Sequence, residues 1–153
     1  MRVVLDTNLL ISGLISVQGF PARLLDAWDE QRFELVSSKE QLDELRAVSR
    51  RPRLAPYIDR HDVGRFINQL QAEAMILVRL PHVDRSADPA DNFLLGMAEA
   101  CEADYLVSGD KRGVLVLKKH GRTHVVTARA MVKILGLKSK RAKSSARRAS
   151  SGD

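Results

Sequence analysis

Two short apolar runs each lead into an aspartate. Val3-Val4-Leu5 is followed by Asp6-Thr7-Asn8, and Tyr105-Leu106-Val107 by Ser108-Gly109-Asp110. A short apolar run bounded by turn residues reads as a buried strand of a parallel sheet. Ligands of open α/β sheets sit beyond the carboxyl ends of such strands, so both aspartates fall where chemistry takes place. Helix patterning draws two further acids toward the same place. Asp91 stands three, four and seven positions before Leu94, Leu95 and Ala98, on their apolar face, and Glu44 borders the stripe of Leu42, Leu45 and Val48. Four carboxylates gathered without matching cations would repel one another and raise one another's pKa. A hard divalent cation, Mg²⁺ or Mn²⁺, is the ordinary remedy, because oxygen-only ligand sets suit those ions.

Each acid also has a plainer reading. Asp6 and Asp110 fit Asx-turns at strand ends. Glu44 fits a solvated helix charge, and Asp91, three residues after the cap-like Asp88, fits a carboxylate favouring a helix N-terminus. The constellation is stronger than its members. The histidines offer no competing zinc site: His61, His82, His120 and His124 are scattered, and Gly121 breaks the helix that the spacing of His120 and His124 would need.

The elements that must hold these acids alternate between strand and helix. Pro21 suits the first turn of a helix carrying Leu24, Leu25 and Trp28. Phe33 to Ser37 reads as a second strand. Ser38-Lys39-Glu40-Gln41 has the form of a capping box opening the Glu44 helix, and Pro52 and Pro56 frame the loop after it. Val63, Phe66, Ile67 and Leu70 mark an amphipathic helix. Met75 to Val78 is a third strand, Asp88-Pro89 opens another helix, and Asp104 to Val107 is the fourth strand. Val125-Val126 is a short fifth, and Thr127 caps a last helix ending at Gly136. Such alternation predicts a three-layer α/β/α sandwich around a parallel sheet of about five strands.

Composition narrows the class. At 44% apolar and 29% charged residues the chain suits a globular domain. No apolar stretch approaches the roughly 18 residues of a membrane span, and Arg2 before a short apolar run does not form a signal peptide. The single Cys101 excludes an intrachain disulfide, so the expected location is cytoplasmic. The net charge of +6 is unevenly spread: residues 138–153 hold six basic side chains against Asp153, whereas residues 1–137 hold 19 basic and 18 acidic ones. We therefore expect one domain over 1–137 and a basic, disordered tail over 138–153.

With these motifs in order, the chain resembles the PIN-domain ribonucleases and is similar to the VapC-type toxins of bacterial toxin–antitoxin pairs. The resemblance covers residues 1 to about 137. It rests on Val3-Val4-Leu5-Asp6-Thr7-Asn8, on Ser37-Ser38 followed by Leu42-Asp43-Glu44-Leu45, on Asp88-Pro89-Ala90-Asp91-Asn92, and on the run from Ala103 to Lys111. It implies metal-dependent hydrolysis of RNA phosphodiester bonds with Mg²⁺ or Mn²⁺. Asp6, Glu44, Asp91 and Asp110 match the family's acidic quartet. Asn8 and Ser108 match supporting polar positions, and Asp88 is an extra acid that would reach a metal through water. Family members often carry another acid two residues after the last aspartate. Here that position is Arg112, which bears against a second, weaker metal site.

RNA must also be drawn to an acidic centre, which calls for basic groups at its rim. Arg50, Arg51, Arg53, Lys111 and Arg112 are the candidates, with the tail as a loose additional grip. The resemblance further implies an antitoxin partner covering the acidic cleft, and a homodimer. Three rivals stand beside this reading. A phosphotransferase using Asp6 as nucleophile would have a second aspartate where Asn8 stands. A PIN-like module that only grips RNA or a partner chain would not need four acids. A housekeeping RNA-processing nuclease would use the same residues.

Overall fold

The computed structural model of the chain describes residues 1–109 and 112–137. Asp110, Lys111 and the basic tail from Lys138 onward lie outside the described residues. Six strands form one sheet: β1 (Arg2–Leu5), β2 (Glu34–Ser38), β3 (Met75–Leu77), β4 (Tyr105–Val107), β5 (Lys119–His120) and β6 (Thr123–Val126). Their order is β3-β2-β1-β4-β6-β5. All neighbours are parallel except β5, which pairs antiparallel with β6. The five parallel strands expected from the sequence are present. The two-residue β5, turned back through Gly121 at φ 58°, is an addition.

The helices are α1 (Thr7–Ile15), α2 (Phe20–Asp29), α3 (Lys39–Ser49), α4 (Arg60–Glu73), α5 (Asn92–Cys101) and α6 (Ala128–Ile134). Strand residues alternate between two cores, as the pleat requires. Val3, Leu5 and Leu35 join α1, α2, α3, α4 and α6 on one face. Val4, Val36 and Leu106 join α5 and Val114 on the other. The result is a three-layer sandwich. Among the described residues no helix is long and apolar enough to cross a membrane.

Local signals place several elements where the sequence puts them. Ser38 caps α3 by accepting from the Gln41 N–H at 3.1 Å, and Thr127 caps α6 by accepting from the Ala130 N–H at 3.1 Å. Gly136 follows α6 at φ 65°. Two elements differ. The helix expected from Asp88 begins as a 3₁₀ turn over Pro89–Asp91, with Asp88 accepting from the Ala90 N–H at 3.0 Å, before α5 proper. The segment after β1 is the nine-residue α1, capped by Asp6, where the sequence suggested a turn.

The strand order reverses direction at β1. From β1 the chain moves outward through β2 to β3, and β4 then lies on the opposite side of β1. The crevice at such a switch point, beyond the carboxyl ends of the strands, is where open α/β sheets bind ligands. The opposite end of the sheet is closed by Asp104, which accepts from the Arg2 N–H at 2.8 Å and from Arg122 at 2.9 Å. Arg32, two residues before β2, donates to the Leu135 carbonyl at 2.7 Å. The described chain therefore ends near the amino end of the sheet, away from Asp6.

α1 lies close against α2 because Gly13 faces Leu25. A Cβ at Gly13 would stand 2.5 Å from Leu25 Cδ1 and 3.2 Å from the Pro21 carbonyl oxygen, and Leu25 itself is fully buried. Gly13→Ala is expected to destabilise the fold by about 1–3 kcal/mol through overpacking, outweighing a helix-propensity gain of about 1 kcal/mol. A urea midpoint at or above the parent's would contradict this packing.

Candidate active site

Asp6 is the first residue past β1, and its surroundings follow from that position. Its N–H continues the ladder to the Val107 carbonyl at 2.9 Å. Its Oδ1 accepts from the Leu9 N–H at 2.8 Å as the cap of α1, whose N-terminal partial charge suits a carboxylate. Its Oδ2 accepts from Ser108 Oγ at 2.7 Å, with the Gly109 N–H at 3.4 Å. Leu5 and Val107 are register partners, so Ser108 stands beside Asp6 at the ends of adjacent strands. Asp6 is only 6% exposed, yet its Oδ1 retains lone-pair capacity.

α3 brings a second carboxyl to this point. Glu44 is half-buried and faces both the Thr7 hydroxyl and the Asp6 carboxylate. Burial raises its pKa above the ordinary glutamate value, and the Asp6 charge adds to the rise. Thr7 and the Arg51 guanidinium pull the other way. Thr7 Oγ1 lies beside Glu44 without completing a hydrogen bond of regular geometry. It is buried with no hydrogen-bond partner, which is costly unless something else satisfies it. Two carboxylates and an orphaned hydroxyl form an oxygen-only donor set that fits a hard divalent cation.

The spacing between these acids depends on a residue the sequence reading did not single out for function. Gln41 looked like the reciprocal member of a capping box. Its side chain instead runs inward, 1% exposed. Nε2 donates to the Leu5 carbonyl at 2.7 Å, and Oε1 accepts from Ser37 Oγ at 2.7 Å. One turn before Glu44, it ties α3 to the last peptide of β1, immediately before Asp6. Its place on the buried stripe, three residues ahead of Glu44, was the available signal.

The other candidate residues fall as follows. Asp91 is half-buried and stands at the N-terminus of α5. That helix precedes β4 and packs against β1, β2 and β4, so its N-terminus lies toward the carboxyl end of the sheet. Asp88 is exposed in the preceding turn, and Asn8 is exposed on the first turn of α1. Arg51 lies within electrostatic reach of Glu44, Arg50 lines a cavity between α3 and α4, and Arg53 and Arg112 are exposed. Among the described residues, no three acidic, histidine or cysteine side chains gather closely enough to hold a metal between them. The described structure thus brings Asp6, Glu44 and Ser108 together, sets Asp91 at the N-terminus of α5, and stops short of Asp110.

A profile of the PIN domain matches residues 2–112, nearly three-quarters of the chain. The chain belongs to the PIN-domain family. PIN domains have a nuclease-type fold, generally act as nucleases and typically bind divalent metals. This PIN domain is also 26% identical over 112 residues to an uncharacterised protein of Methanocaldococcus jannaschii, covering 72% of each chain. No solved structure matches it.

The raised Glu44 pKa has a definite sign in metal-free protein. Its stabilising contribution is complete below the ordinary value of 4.5 and is lost as pH rises through the folded value. Glu44→Gln should therefore gain stability relative to the parent as pH rises from about 4 to 8. Thermal melts in chelator across that range check this, and a pH-independent difference between the two proteins would contradict it.

Proposed function

We propose that this PIN domain is a metal-dependent endoribonuclease and the toxin component of a toxin–antitoxin pair. The carrying observation is the pair of crowded carboxylates, Asp6 and Glu44, beside the orphaned Thr7 hydroxyl at the switch point of a PIN sheet. Like charges held together with an unsatisfied oxygen favour a bound cation over an empty cleft.

Asp6, Glu44, Asp91 and Asp110 are assigned as the residues that hold Mg²⁺ or Mn²⁺. When bound, the ion supplies activation of water near neutral pH and charge neutralisation at the scissile phosphate. Ser108 and the α1 N-terminus hold the Asp6 carboxylate in one orientation. Glu44 and Asp91 would hold the ion or orient the attacking water. The new P–O bond forms from that water as the bond to the leaving ribose oxygen breaks, and the water's proton reaches the leaving oxygen by way of solvent. Asn8 and Asp88 are assigned supporting roles. Arg50, Arg51, Arg53, Lys111 and Arg112 are assigned to the attraction of RNA, with the basic tail as an additional grip. A cytoplasmic protein that pairs with an antitoxin and forms a homodimer completes this reading.

A second reading keeps the same fold for a module that grips RNA or a partner chain with little catalysis. Asp6→Asn separates the two. The nuclease reading expects Mn²⁺-dependent cleavage of total cellular RNA by the parent, reduced about 10²-fold or more in Asp6→Asn. Undiminished metal-dependent cleavage by the variant overturns the assignment. Induced expression in a bacterium should arrest growth for the parent but not for Asp6→Asn, and unimpaired growth with the parent would remove the toxin role while leaving the nuclease.

A further inference from the structure

Between α3 and α4 lies a cavity of about 310 Å³ on which Arg46, Arg50 and Arg60 converge, with Val63, Gly64 and Ile67 among its walls. Three arginines lining one cavity stand out in a domain whose body is nearly neutral. None of the lining residues is acidic. Asp43 reaches Arg46 at 3.3 Å, but through a solvent-exposed bridge of the kind that contributes little and yields to a stronger anion.

Gly64 supplies an independent observation. It sits in the interior of the fourteen-residue α4, where glycine weakens a helix relative to alanine. No packing demand explains it, because a Cβ there would meet nothing within 4 Å, and its φ lies outside the left-handed region. Gly64 is exposed on the wall of the arginine-lined cavity and puts no side chain into it.

The cavity is separate from the acidic centre. Arg46 and Arg50 follow Glu44 by two and six positions, roughly 200° and 240° around α3 at about 100° per residue. α3 stands between the two sites, and its width of roughly 10–12 Å separates them. We propose that Arg46, Arg50 and Arg60 form a phosphate subsite for the backbone of a single RNA strand, beyond the phosphates flanking the cut. The fork geometry of guanidinium matches phosphate oxygens, and the open cavity admits a phosphodiester without reading its base. This rests on the RNA-nuclease reading and extends it: substrate is held on both flanks of α3, so long strands bind better than short ones.

The test uses the full chain carrying Asp6→Asn, so that RNA stays intact, with fluorescence anisotropy of a labelled single-stranded RNA of about twenty nucleotides and of a tetramer. Adding Arg46→Gln and Arg60→Gln should weaken the long RNA about tenfold or more. It should also reduce the dependence of log K on log salt by about 1.4, since each single-strand phosphate contact contributes roughly 0.7. The tetramer should change less than about twofold, because it engages too few phosphates. Gly64→Leu should fill the cavity and weaken the long RNA while raising Tm by about 2–4 °C. A merely structural glycine would not move RNA affinity.

If the parent cuts RNA but the arginine variants keep its affinity and salt slope, the subsite is wrong and the nuclease reading stands. If the variants leave RNA untouched and instead lose a poly-glutamate peptide, the cavity takes a protein partner and the proposal is overturned. If the parent neither cuts nor binds RNA, both readings fall together.

Discussion

The site depends on two like charges being held together where two strands end. Asp6 follows β1 and Glu44 lies on α3, and burial together with mutual repulsion raises the Glu44 pKa. Left to itself, such a pair would separate or take up a proton. The fold prevents separation at both ends. Ser108 and the Leu9 N–H hold the two oxygens of Asp6, and the Gln41 bridge to the Leu5 carbonyl holds the helix that carries Glu44. An arrangement that works against stability, and is braced rather than relaxed, is what the proposed metal site would require.

The brace is cheap in residues because the topology does most of the positioning. β1 and β4 run parallel in register, so Asp6 and Ser108 are neighbours by consequence of the Leu5–Val107 pairing. The strand order places these ends at the point where successive crossovers diverge, where open α/β sheets leave a crevice. α1 starts directly from Asp6, so one carboxylate both caps a helix and faces the crevice.

α3 organises the charge of the molecule around itself. One flank carries Glu44 toward Asp6, while the other carries Arg46 and Arg50 toward α4. A polyanion drawn by the arginines would meet the acids only where a cation neutralises them, because phosphates avoid uncompensated carboxylates. Metal binding and substrate binding would then be coupled through electrostatics, with no conformational change required.

Local chemistry made much of this readable in the sequence. The apolar runs of β1, β2 and β4, the Val63, Phe66, Ile67, Leu70 face of α4, the Ser38 and Thr127 caps and the Pro21 start of α2 all act within one or two turns of chain. For the same reason Asp6 stood out. α1 escaped notice because Leu9, Leu10 and Ile11 are apolar without a polar interval, and because a helix cap and an Asx-turn use the same side-chain bond to a nearby N–H. β5 is too short to leave a period. The inward turn of Gln41, the orphaned Thr7 hydroxyl, the union of Asp6 with Ser108 across 102 residues and the gathering of Arg46 with Arg60 were settled only by tertiary structure. Sequence periodicity states which face of an element is buried, but distances between elements exist only once the layers have packed.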